Sequence, residues 1–335
     1  MASLTSFGND LYTGKRSIDF VANRKVWFSV AIALVLLSIL VPIVKGGFNL
    51  SFEFTGGSQF TISPVASADQ NKATDAVASV VPEAVAKVTT VGDDSVRVQT
   101  NELSNDQTDD VTGALATAFD VDPSAVTTSF IGASWGADVT RQAITSLVVF
   151  LALAFITMAL YFRTWKMSAA AMIALLDVLV ITLGVYALSG FEISPAAIIG
   201  FLTILGYSLY DTVVVFDKIR ENTSEDGENS PRTFAESVNL AVNQTLVRSI
   251  NTSVVAALPV ASILLIGDFV LGAETLRDIS LSLFVGILVA TYSTIFVAAP
   301  LYALFRQNEP EIQKRDARIL EARKRSIEPV VAPAI

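Results

Sequence analysis

Apolar residues form six long runs along the chain, separated by shorter polar segments. The runs cover residues 26–44, 142–162, 168–189, 195–217, 246–267 and 279–305. Each run has about the 20 residues that an α-helix needs to cross roughly 30 Å of hydrocarbon. The 335-residue chain is 52% hydrophobic and only 16% charged, whereas a typical soluble domain is about 25% charged. The pattern predicts a polytopic α-helical membrane protein with six transmembrane helices.

The segment between the first two runs, residues 45–134, shows shorter periodicities. Alternating residues predict strands at 48–54, 58–63, 85–90, 95–100 and 125–131. Helical spacing predicts helices at 69–80 and 104–119, the second capped by Ser104 or Asn105. Strand, helix and strand units in this order predict a small α+β domain of ferredoxin-like type.

Lys and Arg residues indicate how the predicted helices are oriented. They precede the first run, follow the second and fourth, and recur in the tail, while the loops around Glu192 and from Asp268 to Glu274 contain none. Because Lys and Arg in short loops resist translocation, we expect both termini to be cytoplasmic and the α+β domain to face outward. The predicted domains are a cytoplasmic N-terminus (1–25), the first transmembrane helix (26–44), the extracytoplasmic domain (45–134), a five-helix membrane region (135–305) and a basic cytoplasmic tail (306–335).

Two terminal segments need a separate interpretation. The first apolar run follows basic residues, as a signal peptide does, but it is about 19 residues long and ends LVPIVKGG without an A-x-A site, so we predict an uncleaved anchor. Residues 310–325 mix charges at helical spacing, which favours a cytoplasmic helix near the lipid surface. The final EPVVAPAI is expected to be disordered.

Composition excludes several classes of function. Within residues 46–134, twelve acidic residues outnumber three basic ones, which argues against nucleic-acid binding. The chain has no Cys and no His. It therefore lacks disulfides, thiolate metal sites, the commonest metal ligand and every Ser-His or Cys-His catalytic pair. We predict a protein that is not an enzyme and needs no metal or cofactor, with protons as the coupling ion.

An acid interrupts the fourth apolar run, in the stretch LGYSLYDTVVVFDKIREN. A carboxylate near the centre of a span costs about 2.5–3.5 kcal/mol on insertion scales, so Asp211 needs a partner or a function. Ser208 and Thr212 share its helical face and form a polar patch with it. Asp217, near the membrane boundary, is interpreted as solvated.

The fifth run contains a second polar stripe. Gln244, Arg248, Asn251 and Thr252 lie on one helical face, and we expect that face to point inward. An Arg248 guanidinium close to Asp211 would keep the carboxylate ionised, and their separation would favour its protonation. The pair is predicted to be a proton relay, and the alternative is a static buried ion pair that fixes helix packing.

A further acid, Asp177, lies in the third run. It is interpreted either as a member of the relay or as a carboxyl group hydrogen-bonded to a neighbouring helix. The glycines of FTGG likewise have two interpretations. They form a tight turn between two strands, which needs positive φ, or they contact a substrate as well.

These motifs resemble those of the SecF family, accessory membrane subunits of the bacterial Sec protein-export machinery. GYSLYDTVVVFDKIREN and the later QTLVRSINTS are similar to the family's membrane core. SFEFTGG is similar to its G-x-D-F-x-G-G signature, with Phe54, Gly56 and Gly57 matching and Ser51 and Glu53 replacing Gly and Asp. IGASWGADVTRQA is similar to the family's V-G-P-x-V-G approach to the second span, with Ala in place of Pro.

The resemblance implies a multi-pass protein of the bacterial plasma membrane that pairs with SecD and works beside the SecYEG channel on exported, unfolded polypeptides. Together SecD and SecF resemble one resistance-nodulation-division transporter of twelve spans, of which this chain would supply six. In the family, proton flow moves the outside domain. Asp211 and Arg248 would form the relay, and the family's usual His before Asp177 is replaced by Leu176.

Two other functions remain as alternatives. A small-molecule exporter of the resistance-nodulation-division type would share the proton chemistry, but such pumps have two long outside domains in one chain. An intramembrane aspartyl protease also uses two buried Asp residues, and Tyr210-Asp211 resembles its first motif. Its second motif, Gly-x-Gly-Asp, is matched only by LIGD, which ends at Asp268 near the outer boundary.

Overall fold

A computed structural model describes residues 4–91, 94–225, 231–269 and 274–327. Six of its helices are long and apolar enough to cross a membrane, which confirms the predicted class of fold: Arg24–Lys45, Trp135–Phe162, Trp165–Ser189, Pro195–Thr223, Phe234–Gly267 and Thr275–Arg306. The predicted disordered end, the first two residues of the GDD turn and the side chain of Asp268 lie outside the described residues.

The helices and strands follow one another in an order that separates the membrane region from the α+β domain. In chain order they are α1 Leu4–Tyr12, α2 Arg24–Lys45, α3 Phe52–Thr55, β1 Gly57–Ile62, α4 Gln70–Val80, β2 Lys87–Val91, β3 Ser95–Thr100, α5 Asn105–Phe119, β4 Val126–Ile131, α6 Ala133–Phe162, α7 Trp165–Ser189, α8 Pro195–Glu225, α9 Phe234–Phe269, α10 Glu274–Ser293, α11 Ala299–Arg306 and α12 Pro310–Ile327. A π-helical turn, Thr294–Ala298, joins α10 to α11.

The α+β domain has the predicted ferredoxin-like topology. Its four strands are all antiparallel in the order β2-β3-β1-β4, and α4 and α5 cross between them. Phe60 and Ile62 of β1 pair with Val98 and Val96 of β3, and all four side chains are fully buried beneath the helices. The predicted cap of α5 is Ser104, whose hydroxyl accepts from the Gln107 N–H in a capping box.

One predicted strand is wrong. Residues 48–54 do not form a strand, because residues 52–55 form the short helix α3. The Ser51 N–H donates to the Ile193 carbonyl, while the Ser51 carbonyl accepts from the Phe54 N–H. These contacts turn the chain at the point where it leaves α2 for the sheet. Of the alternating apolar residues in FNLSFEF, Phe54 packs against the membrane region, whereas Phe48 and Leu50 are 40% and 44% exposed, so the alternation does not mark a strand of the sheet.

The membrane region has three well-covered helices and three peripheral ones. The most apolar windows of α7, α8 and the last span are 56%, 44% and 50% buried, whereas those of α2, α6 and α9 are each 11% buried. Large apolar side chains therefore cover the outer faces, as expected for helices that contact lipid or another chain.

The N-terminal segment, which includes the unpredicted helix α1, is fixed to α9. The Asn239 side chain accepts from the Phe20 and Val21 N–H groups and donates to the Ile18 carbonyl. Asn243 accepts from the Ile18 N–H at 2.8 Å. Because both amides are buried, they replace the hydrogen bonds that this segment would otherwise make with water.

The contact between α3 and α6 depends on a glycine. A Cβ atom added at Gly136 would lie 2.2 Å from the Phe54 carbonyl oxygen, a backbone atom. We predict that Gly136→Ala costs about 1–3 kcal/mol through overpacking and weakens the docking of the domain on the membrane region. Thermal unfolding of the purified protein in detergent measures this loss.

Gly113→Ala in α5 is the matched control. No atom lies within 4 Å of the added Cβ, so this change should be neutral or stabilise the helix by up to about 1 kcal/mol. Equal unfolding temperatures for Gly136→Ala and the wild type would contradict the proposed close contact.

Candidate functional site

The Asp211 carboxyl group lies buried between α8 and α9. Asp211 is only 4% exposed, and its Oδ1 accepts a hydrogen bond from the Ser249 hydroxyl at 2.9 Å. Its Oδ2 is also buried and has no hydrogen-bond partner among the described residues. An acid with one satisfied and one unsatisfied oxygen is chemically suited to accept a proton in a medium without water.

Ser208 and Thr212 lie beside Asp211 on the same buried side of α8. The Ser208 hydroxyl is fully buried and, among the described residues, has no partner. Thr212 Oγ1 lies 3.2 Å from Thr294 Oγ1 in the π-helical turn. The structure thus brings the three predicted α8 residues together and adds Thr294 to them.

Asp177 is linked to the same turn from α7. Its Oδ2 accepts from the Ser293 hydroxyl at 2.8 Å, and Asp177 is 7% exposed. Ser293 and Thr294 are consecutive, so one short segment of the last span contacts both acid-bearing helices. π-helical turns are rare and often occur at functional sites.

The predicted orientation of the α9 stripe is wrong within this chain. Arg248 and Asn251 are exposed, and Thr252 is only half-buried. Gln244 is half-buried and bonds outside the acid cluster, accepting from Asn222 and donating to the Tyr12 carbonyl. The inward face is one residue further along the helix, a rotation of about 100°.

That inward face consists of hydroxyl residues: Thr245, Ser249 and Ser253, all buried and spaced four residues apart. The Ser253 hydroxyl accepts from Tyr207 and from Thr291, so it joins α8, α9 and α10. The four-residue spacing of these Ser and Thr residues was a visible signal in the sequence. Sequence reasoning gave weight to the charge of Arg248 and missed it.

Asp211 and Arg248 do not form an ion pair in the described part of the chain. The Asp211 carboxylate accepts from the Ser249 hydroxyl instead, and Arg248 is exposed on a different face of α9. A static buried ion pair, the alternative interpretation from the sequence, is therefore absent from this conformation of the described residues. The described residues also contain no group of three or more acids that would hold a metal ion.

The signature glycines lie at the junction between the domain and the membrane region. Gly56 and Gly57 have φ values of 74° and 139°, and a Cβ at Gly57 would lie 2.1 Å from the Thr100 carbonyl oxygen. The glycines therefore form a tight turn, but it joins α3 to β1 and not two strands. Phe54 packs against Tyr186, Ile193 and neighbouring residues of the membrane region.

Charged groups surround this junction. A cavity of about 310 Å³ is lined by Glu53 of α3, Gln99 of β3, and Glu192, Arg277 and Asp278 of the membrane region. Across the junction Lys87 of β2 pairs with Glu192 at 3.2 Å. Burial raises the pKa of the Glu53 carboxyl group, and the nearby acids Asp278 and Glu192 add to this effect.

Known proteins of one family resemble this chain over most of its length. Residues 111–308 match the family described as "Protein export membrane protein SecD/SecF, C-terminal". Protein translocase subunit SecF of Streptomyces coelicolor is 42% identical over 323 residues, which cover 96% of this chain and 86% of the relative. SecF of Mycobacterium tuberculosis H37Rv is 38% identical, covering 95% of this chain and 74% of the relative.

Solved structures agree with these sequence matches. The crystal structure of SecDF from Thermus thermophilus, described as a translocon-associated membrane protein, is similar with a TM-score of 0.72 and 29% identity. The similarity covers 88% of this chain but only 39% of the SecDF chain. A SecDF structure in a super-membrane-facing form gives a TM-score of 0.61 over 92% of this chain.

The position of Glu53 predicts a specific pH dependence of stability. A folded-state pKa above the usual 4.5 means that folded protein binds the proton more tightly, so stability falls as pH rises from 4.5 through the folded pKa. Glu53→Gln should therefore stabilise the protein at about pH 7 and not at about pH 4. The expected gain is below about 1 kcal/mol because the side chain is partly solvated.

Unfolding temperatures measured across this pH range test the prediction. Glu102→Gln replaces an exposed acid of the same domain and serves as the control. A stabilisation by Glu53→Gln that is as large at pH 4 as at pH 7 would contradict the assigned cause.

Proposed function

The chain belongs to the SecD/SecF family of protein-export membrane proteins, and we propose that it couples proton flow across the bacterial plasma membrane to export. The family assignment makes it an accessory subunit of protein translocation. The proposal of proton coupling rests on one observation, the buried Asp211 carboxyl group with an unpartnered Oδ2. Both termini would face the cytoplasm, as the positions of Lys and Arg indicate.

A hydrogen bond links the helix that contains the acid, α8, to its neighbour α9. In the ionised state Asp211 accepts the Ser249 hydroxyl of α9. A proton on Oδ2 would turn that oxygen into a donor and remove the charge that Arg248 attracts. The ionised and the protonated forms of Asp211 would therefore favour different contacts between α8 and its neighbouring helices. One proton crossing 100 mV supplies about 2.3 kcal/mol, which biases a two-state element by about fiftyfold.

Each supporting residue has a structural place in this scheme. Ser208 offers a buried hydroxyl without a partner in the described chain, beside Asp211. Thr212 connects α8 to the π-helical turn, which also bonds Asp177 through Ser293. The other predicted residues of α9 lie away from Asp211: Gln244, Asn251 and Thr252. They would contribute to proton transfer only through the exposed face of α9 that contains Arg248.

That surface supports a partner of similar topology. The SecDF chain is more than twice as long as the part that this chain matches, and the outer faces of α2, α6 and α9 are apolar and mostly uncovered. We infer that SecD covers the α9 face that contains Arg248, so that the exposed guanidinium becomes part of an intersubunit relay. SecYEG would lie beside this pair.

Movement would reach the outside domain through its covalent and polar links. The domain is joined directly to α2 and α6, and its junction is held by Ser51–Ile193 and Lys87–Glu192 contacts. A shift of α8 and α10 would act on Glu192, Ser194 and Asp278 at this junction, where the Ser194 hydroxyl bonds Asp278. The domain would then grip or release unfolded polypeptide as it emerges.

Replacement of either relay residue should abolish coupling without unfolding the protein. We predict that Asp211→Asn and Arg248→Gln each reduce proton-driven export by at least about tenfold, because each removes a charge that the switch requires. Asn can still accept the Ser249 hydroxyl, so the fold should persist. Rescue of export in a SecF-depleted strain is the measurement.

Asp217→Asn is the matched control on the same helix. Asp217 is exposed and accepts the Tyr161 hydroxyl, which an amide oxygen also accepts. This variant should restore export like the wild type. Full rescue by Asp211→Asn would refute the relay.

The partner surface gives a second prediction. A photo-crosslinking amino acid at Val255, which is 68% exposed and two helical turns from Arg248, should form an adduct with SecD in membranes. The same probe at Val242, which is 1% exposed inside this chain, should not. Immunoblotting for SecD distinguishes the two, and lipid adducts alone at position 255 would place the partner elsewhere.

A further inference from the structure

A second charged cavity lies at the opposite end of the membrane region. The α+β domain is connected to the end of α2 and the start of α6, so the end of α6 and the start of α7 are remote from it. There an open cavity of about 880 Å³ lies between the ends of α6, α8 and α11, the starts of α7 and α9, and α12. Its volume is within the range of sites that bind small molecules.

The cavity is strongly basic. Six cationic side chains line it, against the two acids Glu309 and Glu311: Arg163, Arg220, Arg306, Lys314, Arg315 and Arg318. Arg306 is neutralised by Glu309, to which it donates at 2.7 Å. Glu311 offsets one of the other five cations, so the cavity keeps a net positive charge.

Several of these cations have unused hydrogen-bonding capacity. The Nε atom of Arg315 is buried and lacks a partner among the described residues. Arg163, Lys314 and Arg318 make no ion pair within the described chain. Arg163 also has a φ of 54° at the end of α6, a left-handed conformation that usually favours Gly or Asn. The backbone conformation at position 163 does not favour Arg, so we attribute the Arg at this position to its cationic side chain.

Aromatic residues place the cavity at the level of the membrane surface. Tyr161 and Trp165 flank the turn between α6 and α7 and are 53% and 64% exposed. Tyr and Trp concentrate at the interface between hydrocarbon and water. Phe162 and Met167, which line the cavity, belong to the two spanning helices that meet at this turn.

We propose that this cavity binds a phosphate-bearing anion, either the headgroup of an anionic phospholipid or a soluble phosphate compound. Guanidinium groups match phosphate oxygens in a bidentate geometry, and Arg163, Arg315 and Arg318 provide them. The apolar side chains of Phe162, Met167 and Ile312 line the rest of the cavity and suit the uncharged part of such a ligand. This site is separate from the acid cluster and does not depend on proton coupling.

Binding by a charge-neutralised variant tests the site. Arg163→Gln, Lys314→Gln and Arg318→Gln are combined in the full chain, purified in nonionic detergent. Native mass spectrometry then measures the affinity for added phosphatidylglycerol and phosphatidylcholine. Each removed cation should cost about fivefold, so the triple variant should bind phosphatidylglycerol about a hundredfold more weakly than the wild type.

A second triple variant controls for net charge. Lys15→Gln, Lys25→Gln and Lys324→Gln remove three exposed cations that do not line the cavity, so this protein should bind like the wild type. Arg163→Lys with Arg318→Lys keeps the charge and should keep binding within about fivefold. Unfolding temperatures show that each variant is folded.

Inorganic phosphate distinguishes the two sources of the ligand. Displacement of phosphatidylglycerol by millimolar phosphate supports a soluble phosphate compound, and retention of the lipid supports a headgroup site. Two results would overturn the proposal. The first is equal binding of phosphatidylglycerol by the wild type and the cavity variant. The second is that the wild type binds phosphatidylglycerol and phosphatidylcholine equally and does not detectably bind phosphate.

Discussion

Hydrocarbon offers no hydrogen bonds, and this constraint explains most of the arrangement of the membrane region. A polar side chain inside the bilayer must find its partner on its own helix or on a neighbouring one, or remain unpaired at a cost of several kcal/mol. Ser249 therefore bonds Asp211 between α9 and α8, and Ser293 bonds Asp177 between α10 and α7. These short hydroxyl contacts fix which helix faces meet. Among the described residues of this cluster, Oδ2 of Asp211 and the Ser208 hydroxyl are unsatisfied, and of the two the Asp211 carboxyl group is the better candidate to take up a proton.

The same constraint does not hold at the junction with the α+β domain, where charged and partly exposed side chains are numerous. There, Glu53, Glu192, Arg277 and Asp278 surround one cavity, and Lys87 crosses to Glu192. Contacts of this kind are worth little individually and are screened by salt. The junction is thus held by weak polar contacts around the Phe54 anchor. A domain attached in this way can change its position without disrupting the core of either part.

Sequence periodicity predicted the parts of the fold that burial controls. The six spans and the β1 to β4 order follow from long apolar runs and from alternation, and both were confirmed. FNLSFEF was assigned wrongly because alternation cannot distinguish pairing in a sheet from packing against helices. The orientation of Arg248 was assigned wrongly for a related reason. The apolar residues of a transmembrane helix do not show which face points inward, because its lipid and protein neighbours are equally apolar. The inward face of α9 is marked by the small polar residues Thr245, Ser249 and Ser253, which are a weaker signal than the charge of Arg248. The acids themselves were identifiable because their cost in a membrane is large.

The two buried amides of α9 have a consequence for the order in which the protein is made. The hydrogen-bond partners of Ile18 and Phe20, Asn243 and Asn239, follow them by 225 and 219 positions. Until the fifth span has emerged and been inserted, residues 18–21 cannot reach their final contacts. The segment before α2 is then joined to α9 in a step that waits until the four intervening spans have been made. The membrane region is therefore held together by contacts between segments that are far apart in the chain.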